Sequence, residues 1–344
     1  MQSDQVTDSL LTESESDLFG IMTGAFRAQL LSVALKRDLF TYLSSKSLKF
    51  GQLCEHLKIP RKPCLLFLES LVAIKLLKKT GEYYGNSSMS ATYLVKGRPE
   101  YQGANVKLFE SLYDACRELE TALVEDKPTT TNFAYFFDDG DDISSNYANL
   151  MHESGVVPTL LLMEYYDFSD SKWLLDVGGG SGRLAATLTS QYSGLGVVLF
   201  DLPQICAQAQ DYLTPFPSLS SRIEIFNGNF LRDAFPEGPD TILMMRIVHD
   251  WPDDTAQLLL RKAYKALPPG GKILIFETMR TSDDVPDETF AISLLMQLIS
   301  PAGKVRSFNE VSEMLREARF TNIEVTPAAY MYTLVSAEKP LTNI

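Results

Sequence analysis

Four cysteines, three histidines and two tryptophans in 344 residues leave little room for several classes of protein. Cys54, Cys64, Cys116 and Cys206 are scattered, with no paired spacing. That argues against a disulfide framework or a zinc site; no metal is expected, and a reducing cytosol (a cytoplasmic location) is the simplest home. Positive charge is also short: 31 Lys and Arg stand against 44 Asp and Glu, a net charge of −13. Nucleic acid needs a basic face, so it is not an expected partner, and neither is an anionic membrane. No apolar run is long enough to span a bilayer, and the N-terminus has no basic-then-apolar leader. No internal repeat is present. What remains is the composition of a soluble globular protein, long enough for two domains and a sizeable core.

Against that background one stretch stands out: Asp176-Val177-Gly178-Gly179-Gly180-Ser181-Gly182. It follows the apolar run Trp173, Leu174, Leu175 and precedes the helix-like pattern of Leu184, Ala185 and Leu188. Strand, tight glycine turn and helix start is the expected order, with glycine where the backbone turns sharply and a ligand comes close. A dinucleotide fingerprint, G-x-G-x-x-G, fails because its third glycine would fall on Arg183. A phosphate loop fails because no Gly-Lys-Ser/Thr follows. A carboxylate at the strand end suits a cofactor that carries a cation and no phosphate. S-adenosylmethionine (SAM), with its ammonium and sulfonium groups, fits.

The rest of the chain supplies the frame. Residues 1–17 are polar and read as a loose arm. The region 18–105 is mainly helical: apolar residues at helical spacing over Leu18–Phe40, a short helix over Phe50–Leu57, and a third from Pro63 through Leu66, Leu71 and Leu76. Gly81-Glu82-Tyr83-Tyr84-Gly85 then predicts a short hairpin, so the unit reads as a winged helix used for dimerisation or packing. Residues 106–168 read as linking helices, including one over Phe109–Val124, that contribute to a pocket beside the second domain. Asp138, Asp139, Asp141 and Asp142 within them match no calcium-loop pattern and read as an exposed acidic loop. From 169 to 344 strands and helices alternate. Strands are predicted at Trp173–Val177, Gly196–Phe200, Arg222–Phe226, Thr241–Met245 and Lys272–Phe276, which makes an α/β, doubly wound parallel sheet. Asn322–Val325 and Ala329–Val335, joined only by Thr326-Pro327-Ala328, predict an antiparallel edge hairpin.

Ligands of such sheets bind beyond the carboxyl ends of the strands. The first strand ends at Asp176 and the glycine loop. The second ends at Asp201, which can take both ribose hydroxyls or cap the helix that starts at Pro203. The third ends at Gly228-Asn229-Phe230, where Asn229 can meet an adenine edge and Phe230 its face, or the stretch is a plain turn. The fourth ends at Arg246-Ile247-Val248-His249-Asp250-Trp251-Pro252, and the fifth at Glu277. Neighbouring strands lie roughly 5 Å apart, so His249 and Glu277 are expected side by side, a general base oriented by a carboxylate. His56 reads as structural, and His152 as structural or a pocket-lining residue.

Together these motifs resemble the small-molecule O-methyltransferases of the plant phenolic, hydroxyindole and bacterial polyketide type. The resemblance rests on Leu175–Gly182, Phe200-Asp201-Leu202-Pro203, Gly228-Asn229-Phe230 and His249-Asp250-Trp251-Pro252-Asp253-Asp254, and covers nearly the whole chain. It implies a Rossmann-like SAM-binding domain, an N-terminal winged-helix dimerisation domain and a homodimer. It further implies that Gly178, Gly180 and Gly182 hold the methionine part of SAM, that Asp201 takes the ribose, and that Asn229, Phe230 and Arg246 flank the adenine and the cofactor pocket. His249 would deprotonate the acceptor hydroxyl with Asp250 and Glu277 beside it. Tyr147, Met151, Trp251, Met296 and Ser300 would line the pocket of a small-molecule acceptor. S-adenosylhomocysteine (SAH) would be the spent cofactor. Two departures stand out: Asn229 replaces the family's usual Asp, and Val305 replaces a Glu carried by plant members in Gly-x-Glu-Arg-Thr. The second opens an alternative: SAM-assisted hydroxylation, decarboxylation or pericyclic rearrangement.

Overall fold

Asp38 and Lys58, both non-glycine residues in the left-handed region, mark where the first helices stop. The computed structural model describes residues 17–98, 100–127, 151–281, 287–299, 303–329 and 331–341. It separates into two compact units, Met1–Ser111 and Leu112–Ile344. In the smaller, the elements are α1 (Gly24–Lys36), α2 (Leu39–Tyr42), β1 (Leu48–Lys49), α3 (Phe50–Leu57), α4 (Arg61–Ala73), β2 (Leu77–Thr80), β3 (Tyr83–Asn86), α5 (Ser88–Tyr93) and α6 (Gly103–Ser111). The run expected to be helical over 18–40 is therefore broken at Thr23 and at Arg37-Asp38. Leu76, expected in the third helix, lies past its end, because Lys75 turns left-handed (φ 63°) and releases the chain into β2. The hairpin β2–β3 is antiparallel, and β1 adds a third strand beside β3. Phe40, Leu53, Leu57, Leu68, Leu71 and Tyr84 form the core of this unit.

The larger unit contains α7 (Tyr113–Arg117), α8 (Leu119–Glu125), α9 (Val156–Tyr165), β4 (Trp173–Val177), α10 (Arg183–Gln191), β5 (Gly196–Asp201), α11 (Pro203–Leu213), α12 (Pro217–Ser220), β6 (Ile223–Asn227), β7 (Thr241–Met245), α13 (Asp253–Ala266), β8 (Lys272–Thr278), α14 (Glu288–Ile299), α15 (Phe308–Glu317), β9 (Thr321–Pro327) and β10 (Tyr332–Glu338). The single helix expected over 109–124 is in fact three pieces, with breaks at Leu112 and Glu118. Leu112 and Ala115 pack with Leu298 of α14. The acidic run 138–142 lies outside the described residues.

Seven strands form one sheet in the order β6-β5-β4-β7-β8-β10-β9. The first five are mutually parallel and the last two antiparallel, as the alternating pattern and the short final link predict. That link is 328–331 rather than 326–328, since β9 continues through Pro327. The four inner parallel strands, β5, β4, β7 and β8, are apolar on both faces. Leu175, Val177, Val198, Phe200, Ile242, Met244, Ile273 and Ile275 face one helical layer, and Leu174, Val197, Leu243, Leu274 and Phe276 face the other. Side chains alternate across a strand, so a two-sided cover demands such continuous apolar runs. The chain winds outward through β4, β5 and β6, then returns to β7 on the other side of β4. A crevice opens at that reversal.

Candidate functional site

The crevice begins at Asp176, the penultimate residue of β4. It is buried, and its Oδ2 has no hydrogen-bond partner. Burial, with the Asp201 carboxylate nearby, pushes its pKa up to about 7. A buried carboxylate oxygen without a donor is costly, and a cationic N–H would satisfy it. Next to it the glycine loop is pinned to β5 by Gly178 N–H donating to the Phe200 carbonyl at 2.8 Å. Gly178 has φ +70°, which strains any residue with a side chain, and a Cβ there would meet Ile247 Cδ1 at 2.4 Å, so that side chain would have to move. At Gly180 (φ +57°) nothing lies within 4 Å of the Cβ position, so this part of the loop is open. Gly182 (φ +77°) precedes α10. The unpartnered acid and the open glycine loop fit a cationic, closely held cofactor.

Asp201 ends β5. Its Oδ2 accepts from Gly180 N–H at 2.8 Å and its Oδ1 from Leu202 N–H at 2.7 Å. It therefore fastens the glycine loop to the next strand tip. Burial raises its pKa to about 6, and the two backbone N–H groups oppose that shift. It does not cap α11: no side chain caps that helix, which starts on Pro203. Each carboxylate oxygen has a second lone pair for a ligand hydroxyl. Beyond β6, Gly228 packs under Phe200, where a Cβ would come within 2.6 Å of its ring. Asn229 Oδ1 accepts from Leu231 N–H at 2.9 Å, so its carbonyl is already used in a turn. Phe230 stands edge-on to Trp251, with ring centroids 5.9 Å apart.

At the tip of β7, Arg246 adopts φ +60°. A non-glycine residue held there stores of the order of 1–3 kcal/mol. Its guanidinium turns to the helical turn before α9, donating to Ser154 Oγ and Met151 Sδ, both at 3.2 Å. His249 follows in a short 3-10 turn, Val248–Asp250. Its Nδ1 is buried without a partner, and its Nε2 lies 3.5 Å from Asp250 Oδ1. The side chain is only 14% exposed. Burial, with the charges of Arg246 and Arg306, drives its pKa down to about 3.

Glu277 does not orient the ring as expected. Its Oε2 accepts from the backbone N–H of His249 at 3.2 Å, while Oε1 is buried without a partner. Adjacent parallel strands bring the two residues together, but the 3-10 turn presents an amide to Glu277 rather than the imidazole. Complete burial raises its pKa to about 8. Asp250, about a third exposed, is also raised by desolvation, and Arg246 opposes this.

Val305, which stands where plant members of the resembling family carry a Glu, is buried. The residues beside it do the holding. Lys304 N–H donates to the His249 carbonyl at 2.8 Å. The fully buried Arg306 donates to the carbonyls of Val248 and Trp251, each at 2.8 Å, and to Asp253 Oδ1 at 2.7 and 2.9 Å. The sequence reading missed Arg306, since only tertiary contact tells a buried arginine from a solvated one. Ser181 and Arg183 were missed too: both contact His152, which therefore sits against the glycine loop.

Of the proposed acceptor-pocket residues, Met151 is on Arg246 and Trp251 is on Phe230. Met296 packs against the cluster of Leu112, Ala115 and Leu298. Tyr147 and Ser300 lie outside the described residues. His56 stacks on Tyr42 in the smaller unit, with centroids 3.6 Å apart. Among the described residues, no cluster of His, Cys, Asp and Glu is placed to hold a metal, and no helix is long and apolar enough to cross a membrane.

Residues 109–321 match the model of a known family, the O-methyltransferase domain. Over 306 residues the chain is 28% identical to the 3-hydroxy-5-methyl-1-naphthoate 3-O-methyltransferase of Streptomyces sahachiroi, covering 88% of each chain. Human N-acetylserotonin methyltransferase, solved with SAM, superposes with a TM-score of 0.81 at 24% identity, over 95% of this chain and 98% of that one. PigF, solved with SAH, gives 0.75 at 26% identity, over 94% and 99%.

Proposed function

The chain belongs to the O-methyltransferase domain family and is a SAM-dependent O-methyltransferase, and from that premise we propose that it methylates a hydroxyl of a small aromatic or polyketide-like acceptor, with His249 taking the proton. The observation that carries the site is the buried, unpartnered Asp176 Oδ2 beside an open glycine loop, with His249 after the neighbouring strand, β7. The non-methylating alternative that Val305 suggested has no support: the family that matches transfers methyl groups to oxygen.

When bound, SAM supplies an electrophilic methyl on a sulfonium. Asp176 would receive its ammonium and Asp201 its ribose hydroxyls; the glycine loop would lie against its methionine part. Asn229 would present its amide N–H₂ to the adenine edge, since its carbonyl is engaged. His249 is neutral at working pH, so it is ready to accept a proton, but a ring with so low a pKa is a weak base. Glu277, protonated at neutral pH, adds no charge to strengthen it. Most of the rate would therefore come from holding the acceptor oxygen in line, where effective molarities reach ~10⁵ M or more. The proton transfer would contribute at the low end of ~10²–10⁴-fold.

The test is mass spectrometry of hydroxynaphthoate and hydroxyindole acceptors after incubation with SAM. Product heavier by one methylene, with SAH formed in equal amount, supports the reading. No methylated product from the whole panel, with SAM unconsumed, would sink it.

We also propose that the smaller unit makes a homodimer. Leu18, Phe19, Ile21, Met22 and Phe26 are 58–80% exposed within nine residues, a concentration of exposed apolar side chains that a partner surface would cover. Sedimentation at micromolar concentration should give twice the chain mass, and a monomer there would remove the proposal.

A further inference from the structure

One helical turn, residues 151–154, touches two strand tips of the larger unit. His152 Nδ1 lies 2.5 Å from Ser181 Oγ in the glycine loop after β4, and its Nε2 meets Arg183 Nη2 at the head of α10. On the same turn, Met151 and Ser154 hold Arg246 at the tip of β7. β4 and β7 are the neighbours between which the sheet reverses its winding. The turn therefore ties together the two sides of the crevice.

The bonds fix the ring's state. A guanidinium only donates, so Nε2 must offer a lone pair, and the ring proton sits on Nδ1 and is donated to Ser181. An imidazolium has no lone pair and would set its charge against Arg183. Burial and Arg183 lower the pKa of His152 to about 4, with Glu153 on the same turn acting in the opposite sense. Tyr212 of α11 closes another side, its ring edge-on with centroids 4.7 Å apart, and Arg183 also reaches over that ring.

We propose that residues 151–154 are a strap over the cofactor crevice and that His152 is its latch, a positioning residue that holds Ser181 and the glycine loop in shape for the cofactor only while its ring is neutral. The inference rests on reading the crevice as the SAM site. Its sign in pH follows from the geometry. The latched ring resists protonation, while a released ring protonates near the ordinary histidine value of about 6.5. The latch is fully engaged above that value and weakens as pH falls below it, by up to about tenfold per pH unit.

The test is calorimetry with SAH on the wild type, His152→Ala, His152→Asn and Arg183→Gln, at pH 7.5 and 5.5. At pH 7.5, His152→Ala should weaken SAH about tenfold, and hydrogen exchange of 151–165 and 178–182 should rise. His152→Asn, whose amide can still donate to Ser181, should recover part of that loss. Between pH 7.5 and 5.5 the wild type should lose about tenfold more affinity than His152→Asn, which has nothing to protonate. Arg183→Gln should shrink that difference. Asp176 and Asp201 also titrate over this interval, but they do so in every variant. Where His152→Ala fails to fold, the pH slopes of the other two variants decide. Equal SAH affinity in wild type and His152→Ala, or equal slopes in wild type and His152→Asn, would overturn the latch. No heat with the wild type at all would instead overturn the cofactor reading on which it stands.

Discussion

Glu277 hydrogen-bonds the backbone N–H of His249 at 3.2 Å, and the imidazole itself lies beside Asp250 instead. The carboxyl group thus builds the turn that carries the base, and does not tune the base. Glu277→Gln keeps an acceptor for that N–H. Near pH 7 it should lower kcat by no more than a few-fold, whereas His249→Ala should lower it by about 10²-fold or more. Steady-state kinetics with a turned-over acceptor separates them. Equal losses would restore the ring-orienting role to Glu277.

The same burial makes a stability prediction. The pKa of Glu277 is raised from 4.5 to about 8 in the folded chain, so folding favours its protonated form. The resulting stabilisation is fully present below pH 4.5 and is lost as pH rises from there through 8. Glu277→Gln mimics the protonated form. Its Tm should match the wild type near pH 4 and exceed it by a margin that grows from about pH 4.5 and levels off above pH 8, as scanning calorimetry will show. A Tm at pH 9 below that of the wild type would contradict the assignment.

His249 gives a rate profile of unusual shape. With its pKa driven down to about 3, the ring is neutral throughout the working range. With SAM saturating, the kcat/KM profile for the acceptor should show no titration of His249 between pH 5.5 and 7.5, and any rise at higher pH should follow the pKa of the acceptor hydroxyl. An acid limb near 6.5 that disappears in His249→Ala would show the ring to be more basic than its surroundings imply.

Arg306 bonds the carbonyls on both sides of the His249-Asp250 pair. A lysine keeps the charge but cannot span both carbonyls and Asp253. Arg306→Lys should lower kcat by about tenfold or more while SAH affinity stays within about twofold. A parallel loss of SAH affinity would mean that the substitution disturbs the whole crevice and not only the turn.

A side chain at Gly178 would be opposed twice, since a Cβ would lie 2.4 Å from Ile247 Cδ1 and the backbone has φ +70°. Gly178→Ala should weaken SAH by more than tenfold in calorimetry. Adding Ile247→Ala relieves the clash but not the dihedral strain, so it should restore only part. Full restoration would show that the backbone conformation is not what demands glycine.

The strand pattern was legible in the chain itself. Trp173–Val177 and Thr241–Met245 were predicted to the residue, because strands covered on both faces are written as mostly apolar runs that stand out from polar flanks. The glycine loop was equally plain, since glycine adopts its run of positive φ angles without strain. Helix breaks at Leu112 and Glu118 were not, since nothing local marks them.

By itself, then, the sequence determined the strands, the order of the motifs and the acid-glycine signature, all of which depend on neighbours along the chain. Tertiary structure alone decided which atom of His249 faces Glu277, that Arg306 is buried, and that His152 rests on the glycine loop. Those outcomes depend on side chains brought together from distant positions, where burial and hydrogen-bond geometry, not spacing, select the partner.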